Sequence, residues 1–369
     1  MTPLNGPFRA DMVGSLLRSQ ALKEARERRE IDAISADELT AVEDAEIKKL
    51  VAKQASIGLT AITDGEARRA WWHFDFLWGL TGVEKVSGGQ GIQFSGVQTK
   101  AETAKVVGPV DFPANHPHIA HFKRLHAMVP AGKIAKMTIP SPSMLHYRAG
   151  RKMVDAKAYP TMDAYFHDLG HTYNKAIHAF YAAGCRYLQL DDTSLAYFCD
   201  PAQRKMLADR GDDPDALVQQ YGATLGLALK NRPKDMTITT HTCRGNFRST
   251  FVASGGYEPV AEMVFNRIDV DGYFMEWDDE RSGGFEPLRL LPKGKKVVLG
   301  LVTTKVGALE KPDDIKRRID MAAKYASLDQ LCLSPQCGFA STEEGNNLAE
   351  DDQWRKLEMI AAIARDVWR

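Results

Sequence analysis

The sequence carries no net charge: 48 Lys and Arg are matched by 48 Asp and Glu. Without a field of one sign, neither nucleic acid nor an anionic membrane surface is favoured, and a small-molecule substrate is the expectation. No uninterrupted apolar stretch approaches the ~20 residues needed to span a bilayer. The opening Met1-Thr2-Pro3-Leu4-Asn5-Gly6-Pro7 lacks the basic-then-apolar order of a secretory signal, so a soluble, cytoplasmic protein is expected. Cysteine is also scarce. Five residues, an odd number and widely scattered, argue against a disulfide framework and suit a reducing compartment where thiolates stay free for metal. Low-complexity tracts are missing, and the only internal regularity is an alternation of two kinds of segment.

That alternation sets the fold class. Eight strand-like runs cover Phe8 to Val13, Gly58 to Thr63, Ile134 to Ile139, Arg186 to Leu190, Met236 to Thr240, Val270 to Met275, Val297 to Val302, and Gln330 to Leu333. Helical patterns, with apolar positions three and four apart, cover Ala36 to Ser56, Met162 to Ala183, Pro214 to Lys230, Lys311 to Ser327 and Asp351 to Trp368. Ser35 followed by Glu38 fits a capping box, and Gly184 is a stop signal after the Met162 helix. Strand-helix alternation implies a parallel sheet, and eight strands imply an α/β (β/α)8 TIM barrel. A hydrophobic content of 44% in 369 residues can fill one such barrel, read as a single catalytic domain over 1–369. The stretch Gly82 to Pro130 shows few core signals and exceeds a usual loop, so a lid or side excursion is expected over 82–130, between strands 2 and 3.

The chemically suggestive residues fall just past the carboxyl ends of these runs: Ser15, Glu66, Asp191 and Asp192, His241 and Cys243, Glu276, Lys305 and Cys337. In a barrel those ends meet at one face, where active sites lie. Residues two apart in an extended segment point the same way, so His241 and Cys243 can face one ion. With Glu276 and Cys337 they complete a two-Cys, one-His, one-Glu shell suited to Zn2+. The competing reading makes each an ordinary packed or hydrogen-bonded residue; Cys185 and Cys332, inside apolar runs, do read as core. His167-Asp168-Leu169-Gly170-His171 imitates a zinc-protease helix but has Asp where Glu is needed. His116, His118, His121 and His126 read as a solvated loop and helix. The cluster Trp71, Trp72, His73, Phe74, Phe76 and Trp78 either packs the rim or walls a pocket for a flat substrate.

Two thiolates weaken zinc as a generator of hydroxide and suit it to hold an incoming thiol as thiolate, which favours sulfur alkylation over hydrolysis. Glu276, the weakest donor, is the ligand a substrate sulfur would displace. Ser15, Glu66 and Asp191 can bind an α-amino-acid head, and homocysteine fits both halves of such a site.

The motifs Val13-Gly14-Ser15, Asp64-Gly65-Glu66, Gln189-Leu190-Asp191, His241-Thr242-Cys243, Glu276 and Pro335-Gln336-Cys337-Gly338 make the chain similar to the C-terminal catalytic barrel of cobalamin-independent methionine synthase, and more so to the short single-barrel proteins related to it. The resemblance implies zinc on His241, Cys243, Glu276 and Cys337, and the homocysteine head on Ser15, Glu66 and Asp191. It also implies a methyl group from 5-methyltetrahydrofolate. The family's catalytic histidine after the seventh strand is absent, since Val302-Thr303-Thr304-Lys305 stands there. Its folate-stacking tryptophan has no counterpart near Ile139-Pro140-Ser141-Pro142-Ser143, and the large enzyme's N-terminal barrel is not part of this chain. A methylated corrinoid, delivered by a methyl-carrier protein, is therefore the alternative donor. Alkyl transfer to another thiol, as in the similar epoxyalkane:coenzyme M transferases, is the sister reading; two carboxylates favour an amino-acid thiol and repel a sulfonate. A zinc hydrolase, or zinc as a structural brace, stand behind these.

Overall fold

Six strands form one parallel sheet in the spatial order Leu331–Pro335, Lys296–Val302, Gly272–Glu276, Thr237–Thr242, Tyr187–Asp192 and Met137–Pro140. The structure is a computed structural model that describes residues 4–88 and 91–369. All but one residue of these six strands are buried, as expected where helices cover one face of a sheet and a packed interior fills the other. The ladder continues where Ile134–Ala135 pairs with Ala61–Ile62. At the opposite edge Ala10 bridges Leu333 in parallel, with the Asp11 N–H donating to the Leu333 carbonyl at 3.0 Å. The seam between the first segment and Ala61–Ile62 is spanned by the Thr63 hydroxyl donating to the Gly14 carbonyl at 2.7 Å and by the Leu16 N–H donating to the Gly65 carbonyl at 3.0 Å. Strand order and hand-over are those of the expected α/β TIM barrel.

The expected strands differ in detail. The first is a single bridging residue rather than a run from Phe8 to Val13, and the second shrinks to Ala61–Ile62. The third divides at Lys136, where its partner changes from Ala61–Ile62 to Tyr187–Asp192. Helix positions follow the apolar periodicity closely: Ala36–Ser56, Met162–Ala182, Pro214–Ala228, Pro312–Ala322 and Glu350–Val367. Ser35 and Glu38 form the reciprocal capping box, at 3.1 and 2.8 Å, and Gly184 ends its helix at φ +100°, a conformation costly for a residue with a Cβ. Among the described residues no helix is long and apolar enough to cross a membrane.

The segment 82–130, apart from residues 89–90, which lie outside the described residues, holds more core than its sequence suggested. Thr81–Ser87 pairs antiparallel with Glu102–Asp111, and Gln93–Phe94 with Val97–Gln98 as a small hairpin. Val83, Val106, Val110, Phe112, Phe122 and Leu125 are buried. The apolar positions alternate along a twisted ribbon interrupted by Gly and Pro, and such a ribbon packs on one face only. The helix Pro117–Met128 packs on Ala36–Ser56 and Met162–Ala182, in the layer outside the sheet. His116 and His118 are each 1% exposed, not solvated, because their rings sit among Phe76 and Phe112.

Inside the sheet, a polar group sits amid apolar packing. Lys136 is fully buried, its Nζ 3.1 Å from Asp11 Oδ1 and 4.0 Å from the Phe274 ring centre, and the Tyr187 hydroxyl donates to Asp11 Oδ2 at 2.7 Å. Above it Val13, Phe274, Val298 and Cys332 form a separate apolar cluster, so the interior is filled.

Candidate metal centre and substrate cavity

Parallel pairing brings together residues far apart in sequence. In the register of the sheet, His241 lies opposite both Asp191 and Phe274, one strand to each side. Asp191 and His241 are the next-to-last residues of their strands and Glu276 the last of its own, rather than lying past them, while Cys243 and Cys337 lie in the loops that follow. One ligand atom from each of His241, Cys243, Glu276 and Cys337 lies within 4.8 Å of all the others, and all four residues are buried. The two sulfurs are 3.4 Å apart.

Both ring nitrogens of His241 and both carboxylate oxygens of Glu276 are buried without a hydrogen-bond partner. Orphaned polar atoms of this kind are costly in a protein interior. The nearest ion-pair partner of Glu276 is Arg281, at 3.6 Å. Burial pushes the Glu276 carboxyl up to about 7, against the pull of Lys305. Cys337 is held below the ordinary thiol range by its hydrogen bond with Cys243, whose own thiol is pushed up in consequence. Two sulfurs, an imidazole and a carboxylate converging at buried positions form a soft donor set that a dication satisfies, and tetrahedral zinc fits it. Backbone contacts hold the frame: the Tyr257 hydroxyl accepts the Glu276 N–H at 3.0 Å and donates to the Glu276 carbonyl at 3.2 Å.

Ser15, Glu66 and Asp191 line the same cavity. Glu66 follows Gly65 in a left-handed turn, with φ of +66° and +55°, and its N–H donates to Asp64 Oδ1 at 2.8 Å. Such strain in a non-glycine residue persists where the surroundings impose it, and it aims the carboxyl inward. The Thr138 hydroxyl donates to Glu66 Oε1 at 2.7 Å, while Oε2 is left without a partner. Burial raises the Glu66 carboxyl and pushes Asp191 up to about 7, even though Gln189 donates to Asp191 at 2.7 Å. Asp192 turns away, accepting from Ser143, Ser194 and the Leu195 N–H. In the metal-free protein, Asp191 carries its charge above about pH 7 and loses it below. Affinity for an amino-acid ammonium should therefore fall by about tenfold per pH unit on acidification. Calorimetric titration with methionine between pH 8 and 5.5 reads this directly, and a flat profile contradicts it.

Gly338 presses on Ser15: a Cβ there would lie 1.9 Å from Ser15 Oγ and 3.0 Å from its Cβ. Gly338→Ala should displace Ser15 and the neighbouring Cys337, costing about 1–3 kcal/mol of stability. Its effect on ligand affinity should exceed its effect on thermal unfolding; the reverse order would contradict this role for Gly338.

Around these residues the cavity encloses about 580 Å³, including its open mouth. Trp71, Trp72 and His73 line it, whereas Phe74, Phe76 and Trp78 pack against the core, so the aromatic cluster serves both expected roles. Ile92, Phe94 and Thr99 from the 82–130 segment also line it. Lys305 is buried with no partner for its Nζ. Arg148, Tyr197 and Asn246 were not legible as cavity residues, because they sit in a turn, a four-residue helix and a loop, each too short for a periodicity that would place them. His167 and His171 face each other on the exposed side of their helix, at 3.2 Å, with Asp168 3.6 Å from the other ring nitrogen of His167, and they form no three-ligand group among the described residues.

Comparisons with known proteins show the family and the fold. A family model described as "Cobalamin-independent synthase, Catalytic domain" matches residues 8–351. The uncharacterized protein YxjH of Bacillus subtilis is 52% identical over 98% of this chain and 95% of its own. A 5-methyltetrahydropteroyltriglutamate–homocysteine methyltransferase of Bacillus velezensis is 21% identical over 91% of this chain but only 40% of its own length. Among solved structures, a Listeria monocytogenes protein described as a candidate vitamin-B12 independent methionine synthase superposes with a TM-score of 0.80 at 41% identity, over 99% of both chains. A B12-independent methionine synthase of a Shewanella species, solved with selenomethionine, shares the fold at a TM-score of 0.71 and 19% identity, over 98% of both chains.

Proposed function

Because this chain belongs to the cobalamin-independent synthase catalytic-domain family, we propose that it is a zinc-dependent thiol methyltransferase that converts homocysteine to methionine. The methyl donor is 5-methyltetrahydrofolate or another methyl carrier. The observation that supports the metal most strongly is the convergence of four buried ligand atoms within 4.8 Å, with the ring nitrogens of His241 and the carboxylate oxygens of Glu276 otherwise without hydrogen-bond partners. Bound there, zinc supplies a Lewis acid that keeps a substrate thiol deprotonated at neutral pH.

The chain's own residues do the rest. Glu66 Oε2, unpartnered and buried, and Asp191 receive the substrate ammonium, and the Ser15 hydroxyl with nearby backbone N–H groups receives its carboxylate. These contacts would hold the substrate thiol on the side of His241, Cys243, Glu276 and Cys337 and orient it for attack on the donor methyl, which makes that attack close to unimolecular. Apolar walls from Ile92, Phe94 and Phe247 keep water from competing, and the hairpin carrying Phe94 acts as the lid. The thiol's carbon chain must carry an ammonium for these acids, which disfavours a sulfonate thiol such as coenzyme M.

Supplying zinc-loaded protein with homocysteine and methyl-labelled 5-methyltetrahydrofolate should yield labelled methionine, and mercaptoethanesulfonate should yield no labelled thioether. Label transfer to the sulfonate in preference to homocysteine would overturn the substrate assignment.

A further inference from the structure

We infer that Arg148 is the specificity-determining cation of the cavity, holding a substrate carboxylate beside Tyr197 and His73. The inference rests on the methyltransferase reading and deepens it by naming an anion the site must accept. Arg148 is the one Lys or Arg among the described residues that line the cavity. The cavity's acids engage other groups than Arg148: Glu66 Oε1 meets Thr138 and Arg69, and Asp191 meets Gln189. Arg148 has no acid within 4.0 Å among the described residues, and its Nε is buried without a hydrogen-bond partner.

The groups beside it are equally unsatisfied. His73 is 1% exposed with neither ring nitrogen partnered, and the Tyr197 hydroxyl is buried and unpartnered. Burial, with Arg148 adding to it, holds His73 well below its ordinary range, so the ring is neutral and can offer one N–H. A guanidinium, a phenol and a neutral imidazole in one wall form a cluster that offers more donors than acceptors and includes no anion. A planar carboxylate matches it, since a guanidinium can grip both oxygens at once.

The backbone is fixed in advance. Arg210 donates to the Tyr147 carbonyl at 2.7 Å and the Arg148 carbonyl at 3.2 Å, and Gly150, at φ +61°, lets the chain pass close to the Arg210 side chain. Tyr197 stands edge-on to Tyr147 at 5.5 Å. Arg148 thus meets its ligand without first ordering its loop, which lowers the entropy lost on binding.

The carboxylate can come from the amino-acid thiol, its two oxygens then shared between Ser15 and Arg148, or from the methyl donor, and two probe pairs separate these sources. Homocysteine against its α-amide reports on the thiol. Benzoate against benzamide, flat probes for the aromatic wall, reports on the donor side. Binding is read by quenching of the Trp71 and Trp72 fluorescence in the wild type, Arg148→Met and Arg148→Lys; Arg148→Gln replaces the Met variant if that unfolds. In the wild type, at least one acid should bind about tenfold or more tighter than its amide. Arg148→Met should level that pair and Arg148→Lys should keep part of the preference, and the levelled pair names the source. Equal binding of acid and amide in the wild type, or a preference untouched by Arg148→Met, overturns the inference. The benzoate arm uses metal-free protein, so it stands or falls independently of thiol activation.

Discussion

Cys337→Ser is expected to lose tight zinc binding and to lower methionine formation by more than a hundredfold while the barrel stays folded. Residues that merely orient a metal's ligands are worth about 10–100-fold, so removing one of two sulfur ligands should exceed that range. The fold should survive because Cys337 lies in the loop after Leu331–Pro335, outside the strand ladder, and the surrounding core is continuous and apolar. Metal content after dialysis, with thermal unfolding followed by circular dichroism, separates the outcomes. A variant that loses zinc and unfolds at the same time would instead make the metal a brace.

The second large effect lies at the opposite end of the barrel interior. Asp11→Ala should destabilise the protein by about 3–5 kcal/mol, because it strands the fully buried Lys136 ammonium without its carboxylate. Asp11 also accepts the Phe8 and Met12 N–H groups and the Tyr187 hydroxyl, so several donors lose their acceptor together. Burial already pulls the Lys136 ammonium below its ordinary range, and only Asp11 and more distant acids resist it. Asp11→Ala combined with Lys136→Met should recover much of the loss, since replacing both members of a buried pair is far cheaper than breaking it. Urea denaturation of the single and double variants checks both values; a cost below about 1 kcal/mol for Asp11→Ala would show that the pair is not coupled.

The strands and helices were legible because their periods are strong and their ends are punctuated. Ser35 with Glu38 and the glycine at 184 marked boundaries that the structure reproduces to within a residue. The placement of His241, Glu276 and Cys337 followed from the barrel rule that strand ends share a face. Other features had no such rule behind them. Phe8 to Val13 reads as a strand but keeps one bridge, because its neighbours supply side-chain contacts such as Thr63 to Gly14 in place of a ladder. His116 and His118 looked solvated beside Pro113 and Pro117, yet tertiary packing against Phe76 and Phe112 buries them. Arg148 lies in a turn after Met137–Pro140, and only the folded chain shows that it faces the same space as the metal ligands.

The central claim is that the four-residue centre binds zinc and hands it a substrate sulfur. Zinc-edge X-ray absorption on the zinc-loaded protein, with and without homocysteine, tests it directly by counting sulfurs in the first shell. The account predicts two sulfurs alone and three with homocysteine, with one nitrogen or oxygen ligand lost. A shell without two sulfurs, or one unchanged by saturating homocysteine, would contradict it.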